Sequence, residues 1–147
     1  MSCEYDNGAR ANVHGEIDMT ERILALIDAS TRSDAAVVEA IRLAAEANVP
    51  LILGIDPKDE PFETLAGRIS RWLDLAAAGG VRVSTLLVNI GDADRVTRAA
   101  CANRIDLVVS EQRRTDDPCM ADVLRALESA EIRVVLVSGP AQTLVAA

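Results

Sequence analysis

Four polar stretches of the chain carry the residue types that could do chemistry, and each follows an apolar run. They are residues 28–33, 54–60, 89–92 and 110–117. Oxygen ligands such as carboxylates are what Mg²⁺ prefers, so Asp28 and Asp56 could recruit that ion. Acidic loops of this kind are common without a metal, and no cluster of His, Cys, Asp and Glu strengthens the pattern. We therefore predict no metal site.

Common catalytic and phosphate-binding motifs are absent. Lys58 is the only lysine and follows Pro57, so no G-x-x-x-x-G-K-[ST] phosphate loop exists. The stretch at 28–33 contains no glycine, which excludes a G-x-G-x-x-G dinucleotide turn. There is no G-x-S-x-G elbow, and the only histidine is His14, in the polar N-terminal stretch. Because no nucleophile, base and orienting group come together, we predict that the protein is not an enzyme.

Composition narrows the class of protein further. The 147 residues suit one domain, and half of them are hydrophobic while only 2% are aromatic. The core must therefore be built from Ala, Val, Leu and Ile. The net charge is −8, which argues against a nucleic-acid or anionic-membrane surface. No apolar run approaches the roughly 20 residues of a membrane span.

The three cysteines, Cys3, Cys101 and Cys119, are an odd number without a C-x-x-C pair. That pattern predicts neither a disulfide framework nor a zinc ribbon. We expect free thiols and a cytoplasmic protein. Cys119 falls in the first turn of a predicted helix, where a thiol pKa is lowered, but the neighbouring acidic residues favour a surface cysteine over a redox sensor.

The two ends of the chain differ from its middle. Residues 1–20 are polar and are expected to form a disordered leader. Met19 lies just ahead of the first strand, so it could be the native start. An ordinary flexible terminus is the equal alternative. The domain is expected to span 21–139, with a short tail at 140–147.

Between these ends, apolar runs alternate with helical patterns in the order β-α-β-α-β-α-β-α-β. The predicted strands are residues 22–28, 49–55, 81–88, 105–110 and 132–137, and the predicted helices are about 34–47, 62–78, 92–103 and from 118 onward. Right-handed crossovers then give a three-layer αβα sandwich with a five-stranded parallel sheet in the order 3-2-1-4-5. Function in such folds lies beyond the carboxyl ends of the strands, where we expect Asp28 and Ser110 to lie side by side.

Five segments in this order resemble the universal stress protein family. They are Ile23-Leu-Ala-Leu-Ile-Asp-Ala-Ser30, the Ala-rich first helix, Val81-Arg-Val ahead of Gly91-Asp92, Ile105-Asp-Leu-Val-Val109, and Arg133-Val-Val-Leu-Val137. The resemblance covers about residues 21–138. It implies the Rossmann-like fold of the adenine nucleotide alpha hydrolase class, in agreement with the alternation of elements.

The resemblance also implies where ATP would bind, and this chain departs from the pattern there. Members that bind ATP carry G-x2-G-x9-G-[ST] after the fourth strand. Here Glu111 and Arg114 fall on the first two glycines, and Ala121-Asp122 falls on the last pair. Backbone N–H groups cradle phosphate only where the chain can turn tightly, and no glycine lies between Gly91 and Gly139. We expect neither tight ATP binding nor another cofactor, with Glu111 and Asp122 repelling a triphosphate if they face the site.

The adenosine end of the site is better preserved. Asp28 matches the family aspartate that contacts the nucleoside, and Gly54 matches a backbone contact to adenine. With Ser110 and Arg114 these residues form the candidate nucleotide-binding set. The plainer interpretation is that Asp28 caps the following loop and helix. Arg113 and Arg114 could hold an anion in another way, although acidic neighbours favour a solvated loop.

The resemblance thus implies a regulatory or stress-response module without catalysis. Family dimers commonly form through the last strand, which is predicted to begin at Ile132 and end at Val137 and would leave an apolar edge to cover. A protein partner is also compatible. The alternative is an adenine nucleotide or nucleoside sensor that uses the loops of Asp28 and Gly54. A cryptic phosphatase or hydrolase is the third reading, and the absence of a nucleophile argues against it.

Overall fold

Five parallel strands form one sheet in the order β3-β2-β1-β4-β5. The computed structural model describes residues 21–28, 34–112 and 118–138. The strands are β1 (Ile23–Asp28), β2 (Leu51–Asp56), β3 (Val83–Leu87), β4 (Leu107–Glu111) and β5 (Arg133–Val137). Strand order and direction confirm the prediction. The predicted bounds were up to two residues off, because the apolar runs extend into the connections ahead of the strands.

A helix follows each of the first four strands. The helices are α1 (Ala35–Ala47), α2 (Phe62–Ala78), α3 (Ala93–Ala102) and α4 (Pro118–Ser129). Local sequence accounts for their ends. Asn48 terminates α1 in the left-handed conformation, at φ 58°. The carboxylate of Asp92 caps α3 by accepting a hydrogen bond from the backbone N–H of Arg95 at 3.1 Å.

The helices divide between the two faces of the sheet and make two cores. The first face packs against α1 and α2, and the second against α3 and α4. Every residue of β1 and β2 is buried. Ala36, Ala40 and Ala44 of α1 are also buried, and their small side chains let the helix approach the sheet closely. The cores consist largely of aliphatic residues, as the composition predicts.

The helical spacing of apolar residues in α2 predicts a buried stripe that includes Trp72 and Leu73. The structure corrects one detail of this stripe, because Leu73 is 39% exposed whereas Arg68 is buried. Successive residues of a helix are turned about 100° apart, so Leu73 points away from the face on which Trp72 is buried. The guanidinium of Arg68 lies 5.0 Å from the centre of the Trp72 ring and its aliphatic stem fills the core position.

Ser33 and Asp34 are residue types that cap helices, so the sequence predicts that they cap α1, but the structure gives Asp34 another role. It stands at the N-cap position without a side-chain capping bond. Its carboxylate instead accepts a hydrogen bond from the indole Nε1 of Trp72 at 2.9 Å. Asp34 thus ties the start of α1 to α2, because a buried indole N–H needs an acceptor.

The outer strands are less buried than the inner ones. Leu87 at the end of β3 is 69% exposed and Leu136 of β5 is 43% exposed. The apolar sequence at the end of β3 therefore does not mean that both faces of this strand are buried. An edge strand has a neighbour on one side only, and its position in the sheet is decided by the fold rather than by its own composition.

The cysteines require a correction as well. Cys101 is disulfide-bonded, so the expectation of a free thiol is wrong there. Cys119 is exposed and is not in a disulfide. Sequence spacing does not reveal such a pair, because a disulfide requires only that the fold bring two Cα atoms within about 7 Å.

Several predictions concern residues outside the described part of the chain. They include the leader at 1–20 with Met19, the loop at 29–33, the arginines of 113–117 and the tail at 140–147. Within the described part, no helix is both long enough and apolar enough to cross a membrane.

Candidate functional site

Two aspartates stand next to each other where β1 and β2 end. Asp28 and Asp56 are partners in the parallel register of these strands. Both are buried, at 4% and 6% exposure. By strand alternation they lie on the second face, with Leu24 and Leu26. We call this end of the sheet the carboxyl edge; it is where ligands bind in open parallel sheets.

The carboxylate of Asp56 holds two loops at this edge. Its Oδ2 accepts a hydrogen bond from the backbone N–H of Ile90 at 2.8 Å, and its Oδ1 accepts one from the N–H of Lys58 at 3.1 Å. The ammonium of Lys58 lies 3.8 Å from Oδ2. Ile90 is buried at 1% exposure, so its N–H depends on this partner. Asp56 therefore links the β2–α2 connection to the β3–α3 connection through hydrogen bonds.

Gly54 lies inside the sheet rather than at its rim. It pairs with Leu26 of β1 and with Leu86 of β3, so its peptide groups belong to the ladders on both sides. A Cβ atom added at Gly54 would stand 2.9 Å from Cδ1 of Leu24. That methyl group is the movable end of a side chain, so a small shift of Leu24 would relieve the contact, and packing alone does not require glycine here. The predicted contact between the backbone of Gly54 and adenine stays a prediction.

Ser110 is at the same edge as Asp28 but does not stand beside it. The pairing of β1 with β4 ends at Ala25 and Val109, so Asp28 lies further along its strand than Ser110. Ser110 is fully buried, and its hydroxyl lies 4.0 Å from the sulfur of Met120 in α4.

The two acidic residues expected to repel a triphosphate lie in different surroundings. Glu111 is buried at 4% exposure at the end of β4, on the first face of the sheet. Asp122 is exposed on α4 and pairs with Arg125 one turn further on. The expected repulsion of a triphosphate by these two residues stays a prediction. Arg114 lies outside the described residues.

The carboxyl edge is therefore rich in acceptors. Asp28, Asp56 and Glu111 are three buried carboxylates contributed by three adjacent strands. The described cations near it are Lys58, which faces Asp56, and Arg95 of α3. Arg95 borders a cleft of about 250 Å³ between β3 and α3 whose other walls include Pro57, Leu87 and Asn89. No group of three or more His, Cys, Asp and Glu within the described ranges is arranged to hold a metal ion.

Residue-by-residue interpretation missed the role of Asp56, although a signal was present. Both inner strands end in the same dipeptide, Ile27-Asp28 and Ile55-Asp56. Parallel in-register pairing of those strands places the two carboxylates side by side. The bond from Asp56 to the distant Ile90 carries no such signal, because nothing in the local sequence marks Ile90 as a donor.

The fold has counterparts among solved structures. No protein-family model and no curated protein matches the chain. A universal stress protein in complex with cAMP is similar at a TM-score of 0.59 and 19% identity, over 81% of this chain and 98% of its own. The universal stress protein of Archaeoglobus fulgidus in complex with dAMP gives 0.60 and 18%, over 81% and 98%. A protein of the same family from Burkholderia pseudomallei gives 0.53 and 24%, over 81% and 96%.

These similarities span nearly the whole of the matched proteins. The chain therefore has the universal stress protein fold, as its sequence resemblance implies.

Proposed function

We propose that this protein is a regulatory module of the universal stress protein type that works without catalysis and without tight ATP binding. The observation that carries the proposal is Glu111, which is buried at the end of β4. A carboxylate in a poorly solvated position repels a nearby triphosphate strongly, whereas Asp28 is a residue that ATP-binding members of the family share.

The sequence of the fourth connection supports the same conclusion. No glycine occurs between Gly91 and Gly139, and Glu111 stands where the first cradle glycine is expected. A cradle would supply several backbone N–H bonds to ionised oxygens, each contributing about 1.5–3 kcal/mol. Their loss should bring ATP affinity to about millimolar or weaker, roughly −4 kcal/mol.

Homodimerisation through β5 is the second part of the proposal. β5 is an edge strand whose outer backbone groups face away from the sheet, and Leu136 is 43% exposed beside them. An apolar edge of this kind attracts another strand unless it is covered. A second copy would cover both Leu136 and the free edge.

Leu136→Lys tests the dimer more cleanly than a change at Val135, because Val135 packs partly against the first-face core. Leu75→Lys on α2 is the matched control, at 47% exposure. In sedimentation at tens of micromolar, we expect the parent and Leu75→Lys to be dimers and Leu136→Lys to be a monomer. A monomeric parent chain would refute dimerisation.

A nucleoside or nucleoside monophosphate sensor is the second candidate function. It is favoured by the buried Asp28, which matches the nucleoside aspartate of the family, and by the fold neighbours that bind cAMP and dAMP. A carboxylate accepts hydrogen bonds from ribose hydroxyls or a base N–H without needing a phosphate cradle. This candidate predicts that adenosine and AMP bind more tightly than ATP.

Calorimetry on the full chain with adenosine, AMP, cAMP, dAMP and ATP separates the two functions, with product analysis as the test for turnover. The module predicts no binding in the micromolar range and no product. The sensor predicts AMP or adenosine binding that Asp28→Asn weakens about tenfold, while Asp74→Asn on the exposed side of α2 leaves it unchanged. Micromolar ATP binding would refute the proposal, and product formation would establish an enzyme.

A further inference from the structure

A second cleft lies at the opposite end of the sheet, where the strands begin. We call this end the amino edge. The cleft has a volume of about 300 Å³ and opens between the starts of β1, β2 and β3 and the end of α3. Its volume is at the lower end of the range found for small-molecule pockets. It is far from the carboxylates of the carboxyl edge, because the strands between the two edges are five or six residues long.

Two arginines converge on this cleft. The register of the strands sets Arg22, Pro50 and Arg82 in one row across β1, β2 and β3. Adjacent strands are about 4.8 Å apart, so the backbones of Arg22 and Arg82 are separated by about 10 Å. Strand alternation puts both on the second face, together with Ser84 and Ile52 of the next row. Arg22, Arg82 and Ser84 are exposed, and Ile52 forms an apolar floor.

The charge of the cleft is opposite to that of the protein. None of the eight described residues that line it is acidic, although the chain carries 23 Asp and Glu against 15 Lys and Arg. The carboxylate of Asp106 is near this edge, but it is buried and accepts hydrogen bonds from the backbone N–H groups of Glu21 and Arg22. It anchors the start of β1 and does not line the cleft.

Within the described part of the chain, the guanidinium of Arg82 has no ion pair and no side-chain hydrogen bond. Arg42 of α1 shows the contrast. It bonds both oxygens of Glu39, and this hydrogen bond holds the pKa of the Glu39 carboxyl below its ordinary value. Arg71, Arg98 and Arg125 likewise have carboxylate partners.

Arg22 retains most of its donors. Its Nη1 donates to the backbone carbonyl of Asn103 at 3.4 Å, at the end of α3. That contact offsets the negative end of the helix, which would otherwise oppose an anion. A guanidinium has five N–H donors, so one long bond leaves four. Pairs of guanidinium groups bind oxyanions through charge-assisted and often bidentate hydrogen bonds.

We propose that the amino edge binds a small organic anion, a phosphate ester or a carboxylate, between Arg22 and Arg82. Its oxyanion lies between the two guanidinium groups and within reach of the Ser84 hydroxyl. Its body rests on Ile52 and Pro50. The chemistry of this cleft is independent of the function proposed for the carboxyl edge.

Nuclear magnetic resonance of the arginine Nε–Hε groups tests this site directly. The full chain is titrated with inorganic phosphate and, separately, with citrate at constant ionic strength maintained with chloride. We expect saturable shifts of the Arg22 and Arg82 signals with a millimolar Kd. Arg82→Gln should weaken binding at least fivefold, and Arg82→Lys should restore part of it.

Arg95→Gln is the matched control, because it removes the same charge from the carboxyl end of the sheet. Equal losses in Arg95→Gln and Arg82→Gln would mean that the anions only screen charge, and would overturn the proposal. Shifts that do not saturate, or that persist unchanged in Arg82→Gln, would overturn it too. Urea unfolding of each variant shows whether it is folded. If Arg82→Gln is not folded, the same titration is done with Arg22→Gln.

Discussion

The two ends of the sheet are built alike and charged differently. At each end, one buried aspartate holds neighbouring backbone segments in place by accepting two backbone hydrogen bonds. Asp56 holds Ile90 and Lys58 at the carboxyl edge, and Asp106 holds Glu21 and Arg22 at the amino edge. What surrounds these aspartates differs. The carboxyl edge adds further buried carboxylates, whereas the cleft at the amino edge has exposed arginines and, among the residues that the structure describes, no acidic lining.

The difference shows that net charge does not determine which ligands a surface attracts. A chain at −8 should repel anions on average, and it does so strongly only where carboxylates cluster. Salt screens exposed charges beyond a Debye length of about 10 Å, so the local set of side chains decides. The two proposals therefore predict opposite preferences at the two edges, weak binding of a polyphosphate at the carboxyl edge and binding of a small anion at the amino edge.

We expect the largest loss of stability when the hydrogen bonds of Asp56 at the carboxyl edge are removed. Asp56→Ala leaves the buried N–H of Ile90 without its acceptor and also removes the bond to Lys58. We expect a loss of about 3 kcal/mol in the free energy of unfolding, since bonds to a charged group contribute about 1.5–3 kcal/mol each. Urea denaturation measures it, and Asp56→Asn should retain about half. A loss below about 1 kcal/mol would show that water replaces the carboxylate.

The amino edge should respond less to the corresponding change. Asp106→Ala removes bonds of 2.9 and 3.5 Å to the N–H groups of Glu21 and Arg22, and the second is long for a hydrogen bond. We expect a loss of about 2 kcal/mol by urea denaturation. A loss larger than that of Asp56→Ala would reverse the comparison and make the amino edge the more tightly fastened one.

Trp72→Phe probes a third fastening, which also belongs to the carboxyl side of the sheet. The substitution removes the bond from Nε1 to Asp34, which ties α2 to the start of α1, and also shortens a fully buried ring that stacks on Arg68. Asp34 is part-exposed and can turn to water, so with the lost packing we expect a loss of about 1.5 kcal/mol. Because Trp72 is the only tryptophan, the unfolding of this variant must be followed by circular dichroism.

Arg82→Gln should have the smallest effect on stability. Since Arg82 has no carboxylate partner in the described residues, we expect the free energy of unfolding to change by less than about 0.5 kcal/mol. The same urea experiment applies. A clear destabilisation would mean that Arg82 stabilises the fold, as the buried aspartates do. It would then not be a residue kept for binding a ligand.

Much of the fold was predictable because its signals are local. The apolar runs of β1 and β2, the left-handed Asn48 and the cap at Asp92 each act within a few residues, and right-handed crossovers then restrict the strand order. The candidate site was less predictable. Family likeness indicated Asp28 and Gly54, but whether Gly54 lies at the rim or within the ladders depends on its neighbours in β1 and β3.

The sequence by itself determined the elements, their order and the aliphatic character of the core, because periodicity and turn chemistry act over short distances. Only the tertiary structure decided which residues meet across the sheet. It bonded Asp56 to Ile90 and Asp34 to Trp72, left Leu87 exposed on an edge strand, and brought Arg22 and Arg82 to one cleft. Such contacts join residues tens of positions apart, and their energies depend on register and burial, which no local pattern specifies.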